Sequence, residues 1–220
     1  MLNKILLKIF GLRLVSSQCG EDLILESLLP NKKNGFYVDV GANHPIKFNN
    51  TFLFYKKGWT GINIEPNHSR IWLFKLFRRR DINLNIGVGK EKSEMNFYVF
   101  KESTLSTFDK NASEEYQKMG HILEKELVIP ISPLKEILEN NIQGKEIDIL
   151  SIDTEGFDME VLESNDWNRF RPHFVIIETL EYRNDGTGKK LNNTYDPYMN
   201  IIGYVKIAET YINSIYEKTY

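Results

Sequence analysis

A single cysteine, Cys19, stands among 220 residues, which excludes an intramolecular disulfide framework and a multi-thiolate metal site. Positive charge is not in surplus either. The net charge is -2, whereas phosphate binding usually leaves a domain basic, so no nucleic-acid partner is expected. No apolar run approaches the roughly 20 residues that a membrane-spanning helix needs, and Lys4, Lys8 and Arg13 break the early apolar runs short of a signal-peptide core. Repeats, low-complexity tracts and Pro/Gly/Ser linkers are also missing. A reducing cytoplasm is the expected setting.

What is present is enough for one good core: 41% of residues are hydrophobic and 26% charged. Residues 1–16 read as an amphipathic helix, because Leu2, Ile5, Leu6, Ile9 and Phe10 follow helical spacing with lysines elsewhere. Such a helix packs on its own domain or on a homodimer partner, or it lies on a membrane surface through residues 2–14. Residues 17–220 read as one domain with an insert at about 93–132.

In that domain, strand-like and helix-like segments alternate. Strands are expected at 36–40, 60–65, 82–88, 147–152 and 173–178, with helices at 21–29, about 50–57, about 68–78, 133–141, 157–164 and 195–202. The insert reads as two short strands, "FYVF" and "ELVIPI", joined by a loop. Alternation of this kind predicts a parallel sheet covered by helices on both faces. The closing strands, 204–209 and 212–217, are too close for a helical crossover and should form an antiparallel hairpin. The three arginines at 78–80 are expected in the last turn of a helix, where cations complement its dipole.

Ligands of such sheets bind at the carboxyl ends of the strands. The first end reads "VDVGANHP". A dinucleotide fingerprint needs glycines spaced G-x-G-x-x-G, but positions 41, 43 and 46 are Gly, Asn and Ile. The phosphate cradle is missing, which disfavours an NAD-dependent dehydrogenase. The second strand ends in Glu65, where an acid accepts hydrogen bonds from ribose hydroxyls, and Asp39 lies one strand over. Two acids at adjacent strand ends without a phosphate site suit an adenosine ligand that carries positive charge, namely S-adenosylmethionine. "EIDILSIDTEGFD" ends a further strand at Asp153, and "HFVIIE" ends the next at Glu178. Helix-dipole preference accounts for Glu155 and Asp158, but less well for Asp153. Two carboxylates at neighbouring strand tips can share a hard cation such as magnesium, or act as base and orienting group.

Together the blocks "SQCGED", "GFYVDVGANHP", "NTFLFYKKGWTGINIEP", "INLNIGVG", "LSTFD", "IDILSIDTEGFDMEVLESNDW" and "RPHFVIIE" resemble, in order from residue 17 to 180, the FkbM family of S-adenosylmethionine-dependent methyltransferases. The resemblance implies a class I methyltransferase fold, an α/β Rossmann-like sheet of seven strands in the order 3-2-1-4-5-7-6 with strand 7 antiparallel. It also implies O-methylation of a sugar hydroxyl in a bacterial surface glycan or related glycoconjugate, or of a non-sugar natural product. For the cofactor it implies Asp39, Gly41 and Asn43 at the methionine end, Glu65 at the ribose and Gly87 and Val88 near adenine, with Asp153 a further contact. Gln18, Glu21 and Asp22 would lid it, and Ser106 and Thr107 match the family's serine-bearing loop.

A hydroxyl acceptor must lose a proton as the new bond forms. Two routes stay open. His44 can act as a neutral base, given its ordinary pKa of about 6.5. Alternatively Asp153 and Glu178 serve, alone or around magnesium, which acidifies the hydroxyl. "YDPY" at 195–198 is read as a helix start, with Asp196 as cap and Pro197 at the first helical position. The stretches "LEYRNDGTG" and "STFDKNASEEYQ" are expected to wall the acceptor. A nucleoside-binding module without catalysis is the alternative of another class.

Overall fold

The computed structural model describes residues 15–182, 188–190 and 194–219. The expected N-terminal helix, with its membrane or dimer contact, lies outside them, as does the middle of "LEYRNDGTG". Seven strands build the central sheet: β1 (Phe36–Val40), β2 (Thr60–Ile64), β3 (Ile82–Leu84), β7 (Ile149–Ile152), β8 (Phe174–Glu178), β11 (Tyr204–Glu209) and β12 (Asn213–Lys218). They lie in the order β11-β12-β8-β7-β1-β2-β3. Numbered within this sheet alone, the order reads 3-2-1-4-5-7-6, and β12 runs antiparallel to both of its neighbours. Two smaller sheets accompany it, one of them built on the two strands expected in the insert. One is the hairpin β9 (Leu180–Tyr182) with β10 (Gly188–Lys190). The other has three strands in the order β4 (Gly87–Val88), β6 (Leu123–Ser132), β5 (Ser93–Phe100).

Every residue of β1 is buried, as expected for a strand covered on both faces. With a side-chain period of two, Val38 and Val40 point to one face. There they join Leu150 and Ile152 against α5 (Leu134–Asn141), α6 (Asp158–Glu163) and α7 (Asp196–Ile201). Tyr37 points to the other face with Ile149 and Ile176, under Leu25 of α1 (Glu21–Leu28) and Phe54 of α2 (Phe52–Lys56). Asp39 shares the Tyr37 parity, so its carboxylate turns toward the segment that leads into α2.

Three expectations need correction. The strand expected over 82–88 breaks after Leu84, because Asn85 turns its amide to the carbonyls of Glu65 and Pro66 at 2.9 and 2.7 Å. Gly87 and Val88 then pair with Ile131 and Ser132 in the three-stranded sheet. The insert loop contains a helix, α4 (Lys110–Lys118), whose Asp109 side chain caps the amides of Asn111 and Ala112. In α7 the cap is Tyr195, one residue before Asp196, and Asp196 instead accepts from the Tyr216 hydroxyl and pairs with Lys206. Among the described residues no helix is long and apolar enough to cross a membrane.

Candidate active site

The cleft opens over the carboxyl ends of β1, β2 and β7. Its floor begins at Gly41, with a φ of 75°. A Cβ added there would lie 1.8 Å from the carbonyl oxygen of Asp153, so glycine serves the close passage of two strand ends. Gly41 also lines the cleft, as expected of a cofactor contact. Asp39 follows expectation in lining the cleft, buried and held by Asn49 Nδ2 at 2.9 Å and Thr51 Oγ1 at 2.8 Å. Burial pushes its carboxyl up; the Arg78 guanidinium and these two donors oppose the rise.

His44 does not fit the role of base. Its Nδ1 accepts from the backbone amides of Ile46 at 3.1 Å and Lys47 at 3.0 Å. A neutral imidazole has one acceptor nitrogen, so Nε2 carries the hydrogen and has no lone pair to take a proton. Burial, then Arg70 and Lys47, lower its pKa, and the ring is not among the walls of the cleft. The side chain secures the turn that follows Pro45.

At the β2 end, Glu65 is buried and grips two loops at once. One carboxylate oxygen accepts from the Asn43 amide at 2.8 Å, the other from the Asn67 amide at 2.7 Å. A carboxylate has about four lone-pair sites, so two remain, and Glu65 lines the cleft. Burial raises its pKa to about 7, against the pull of those two amides and of Arg70. Asn43 sits at a φ of 48°, a region that asparagine enters more readily than most residues. Gly87, Val88 and Ser106 line the same cleft, although the first two belong to the smaller sheet. An aromatic wall stands beside them, of which Phe108 lies in the stretch expected to wall the acceptor and Phe97 and Phe157 were not expected. Phe108 packs 4.7 Å from Phe97 and 5.7 Å from Phe157, centroid to centroid, and all three border the cleft.

Gln18 lines the cleft as expected. Glu21 and Asp22 do not. Glu21 accepts from Asn213 Nδ2 and Thr210 Oγ1 at 2.9 and 2.7 Å, and Asp22 gathers the hydroxyls of Ser16 and Ser17 at 2.8 and 2.7 Å. These acids pin the entry of α1 rather than lid a ligand.

The far end of the cleft is acidic. Asp153, Glu155 and Glu178 bring one oxygen each to within 4.8 Å of one another. The first two line the cleft, and Glu178 is buried. Sequence reading had assigned Glu155 to the helix dipole; its φ of 51° is the signal of a constrained position. Burial raises all three, and each is raised further by a neighbouring acid, Asp158 in the case of Asp153 and Asp153 in the case of the others. The hydrogen bond between Asp153 and Glu178 pulls the first down and lifts the second, so the two carboxyls titrate as a pair. Asp158 stays a structural group, accepting from the Thr154 amide at 3.0 Å and its hydroxyl at 3.1 Å.

Comparison with known proteins bears on what this arrangement does. No curated protein matches the chain. Among solved structures, the crystal structure of small RNA methyltransferase HEN1 is similar at 10% identity and a TM-score of 0.44, with 94% of this chain and 27% of that chain covered. The chain thus spans about a quarter of that protein. A sequence model of the methyltransferase FkbM domain matches residues 39–205. That span runs from Asp39 past Glu65, the aromatic wall and the three carboxylates, and the chain belongs to the FkbM methyltransferase family.

Proposed function

We propose that this chain is an S-adenosylmethionine-dependent O-methyltransferase whose acceptor is a sugar hydroxyl in a bacterial surface glycan or related glycoconjugate. The observation that carries the reading is the group of three carboxylates at one end of the cleft that Glu65 anchors at the other. S-adenosylmethionine supplies, when bound, an electrophilic methyl group on a positively charged sulfur. The residues fit it. Glu65 keeps two lone-pair sites for the ribose hydroxyls, the Phe97 and Phe108 rings offer faces to adenine, and Asp39 offers a negative charge to the methionine end. Helix-borne phosphate donors of the dinucleotide type are absent from the "VGANHP" turn, which agrees with a ligand that has no phosphate.

Methyl transfer to oxygen is an in-line displacement, so alignment is the first requirement and contributes roughly 7 to 11 kcal/mol when the geometry is good. The second is a proton acceptor. Asp153 takes that part: its carboxylate borders the cleft, and it shares a hydrogen bond with the buried Glu178, which fixes its orientation. Asp153, Glu155 and Glu178 also form a donor set suited to a hard divalent cation such as magnesium. Such an ion would be held by those three oxygens and would supply Lewis-acid polarisation of the hydroxyl.

Calorimetry with S-adenosylmethionine, S-adenosylhomocysteine and NAD tests the cofactor: both sulfur nucleosides should bind and NAD should not. Binding of NAD alone would overturn the reading. Methyl release across free, nucleotide-linked and lipid-linked sugars then tests the acceptor, and recovery of a non-sugar product would redirect it to natural products. Chelation followed by magnesium addition decides between the carboxylate and the metal route. A lipid-linked acceptor would give residues 2–14 a membrane to touch, and their deletion should then release the protein from anionic vesicles.

A further inference from the structure

Arg78 is fully buried, which contradicts its expected part as one of three exposed cations balancing the dipole of α3 (His68–Phe77). Burying an unpaired guanidinium is costly, so its partners deserve a count. Nε donates to Asp81 Oδ2 at 2.9 Å, one terminal nitrogen to the Pro45 carbonyl at 3.0 Å and to Asn49 Oδ1 at 3.3 Å, and the other to Thr51 Oγ1 at 2.9 Å. The rings of Tyr55 and Tyr37 flank the guanidinium at 4.7 and 5.1 Å.

These contacts have a direction. Asn49 Oδ1 receives Arg78 and the Thr51 amide, so the amide group of Asn49 must turn its Nδ2 the other way, to Asp39 at 2.9 Å. Thr51 Oγ1 uses a lone pair on Arg78 and has one hydrogen to give. The acceptors in reach are Asn49 Oδ1, already engaged by two donors, and Asp39 Oδ2 at 2.8 Å. The hydrogen therefore goes to Asp39. Both donors on Asp39 are thus oriented by one buried cation that never touches the cleft.

We propose that Arg78 is a positioning residue for the cofactor site, fixing the polarity of Asn49 and Thr51 so that Asp39 presents an ionised carboxylate to the cationic methionine end of S-adenosylmethionine. The inference rests on the cofactor reading above. Burial works against ionisation of Asp39, and Arg78 is the largest influence opposing it, ahead of Thr51 and Asn49. The other charged groups around Asp39 are Asp81, on the turn after α3, together with Glu65 at the β2 end and Asp153 at the β7 end.

The test compares S-adenosylmethionine with 5′-methylthioadenosine, which keeps adenine and ribose but lacks the amino-acid end. Affinities of the wild type, Arg78→Lys and Thr51→Val are measured by calorimetry from pH 5.5 to 7.5, below the range of about 7.7 to 8.0 in which an α-amino group titrates. The second ligand carries any pH dependence of Glu65 and cancels it. Both variants should bind S-adenosylmethionine more weakly at the acid end, by about three- to tenfold, because losing a donor or the guanidinium raises the acid's pKa, and the deficit should narrow as pH rises. Affinity for 5′-methylthioadenosine should stay within about twofold of wild type, on the scale where tenfold is 1.4 kcal/mol. Equal loss for the two ligands, or a deficit independent of pH, means a merely structural role and overturns the proposal. If Arg78→Lys does not fold, Thr51→Val alone decides: an unchanged affinity for S-adenosylmethionine is equally fatal. A wild type that binds neither ligand refutes the cofactor reading itself, a distinct outcome.

Discussion

Replacing Gly41 by alanine tests whether this residue is required by the backbone or by the ligand. Two costs are expected. At a φ of 75°, an L-residue carries a penalty of about 1–2 kcal/mol. In addition, the new Cβ would meet the Asp153 carbonyl at 1.8 Å, and this oxygen belongs to backbone that cannot swing aside like a side-chain tip. Forcing an extra carbon into packed structure costs about 1–3 kcal/mol. Gly58 provides the control, because its φ is 97° and nothing lies within 4 Å of an added Cβ. Gly58→Ala should therefore show the first cost alone. In a chain of this length each kcal/mol moves the Tm by about 2–4 °C, so Gly41→Ala should melt several degrees below Gly58→Ala in parallel calorimetric scans. It should also lose methyl transfer beyond its loss of stability, since the displaced carbonyl carries the Asp153 side chain. Equal melting temperatures for the two variants would refute the reasoning.

Three further outcomes are expected. His44→Ala should keep kcat within about threefold and lose about 1 kcal/mol of stability with its turn hydrogen bonds; a loss of two orders of magnitude in steady-state kinetics would restore the histidine as base. Glu65, raised in the folded state to about 7 from 4.5, binds its proton more tightly folded than unfolded. Its contribution to stability is full below the unfolded value and is lost as pH rises through about 7, a difference of about 3 kcal/mol. Asp153 is raised to about 7 as well, so thermal melts from pH 4 to 8 should show a loss in both proteins, smaller in Glu65→Gln by the share that Glu65 contributes; identical pH slopes would refute it. For the acids, Asp153→Asn should lower kcat by about 10²- to 10⁴-fold, whereas Glu178→Gln, which can still donate to Asp153, should stay within about tenfold. Equal collapse of both in rapid-quench assays would favour a bound cation over a lone carboxylate base.

The parts of this architecture that were legible in sequence are those written in short-range patterns. Strands buried on both faces, such as β1 and β8, are apolar but for one acid each, and Asp39 and Glu178 stand out because nothing in a core strand calls for a charge. The site residues misread are those whose meaning depends on what lies across the fold. "RRR" has the same appearance whether its first arginine reaches solvent or the Asp39 network. Gly41 lines the cleft as expected, but the Asp153 carbonyl against it is a second demand for glycine that only the fold reveals. His44 is a base or a turn fastener according to which nitrogen meets the two amides. The helix α4 is mostly polar, with Ala112 and Tyr116 its only apolar or aromatic residues; its signal is the cap residue Asp109. The break after Leu84 depended on one asparagine amide satisfying two distant carbonyls.

The three-stranded sheet also constrains how such an enzyme can change over time. Its residues include Gly87 and Val88, and the chain between its strands contributes both Phe108, which would meet a Cβ added to Gly87 at 2.7 Å, and Tyr116, whose phenol feels the charges of Glu155 and Glu178. On the proposed function, one inserted segment therefore stands near both the Gly87 end of the cleft and its acidic end. Exchanging it between related enzymes to obtain a new acceptor would alter the hold on the methyl donor in the same stroke. Lineages that switch acceptors are expected to carry compensating changes around Gly87, and grafts of the insert alone should bind the donor poorly until those changes are made.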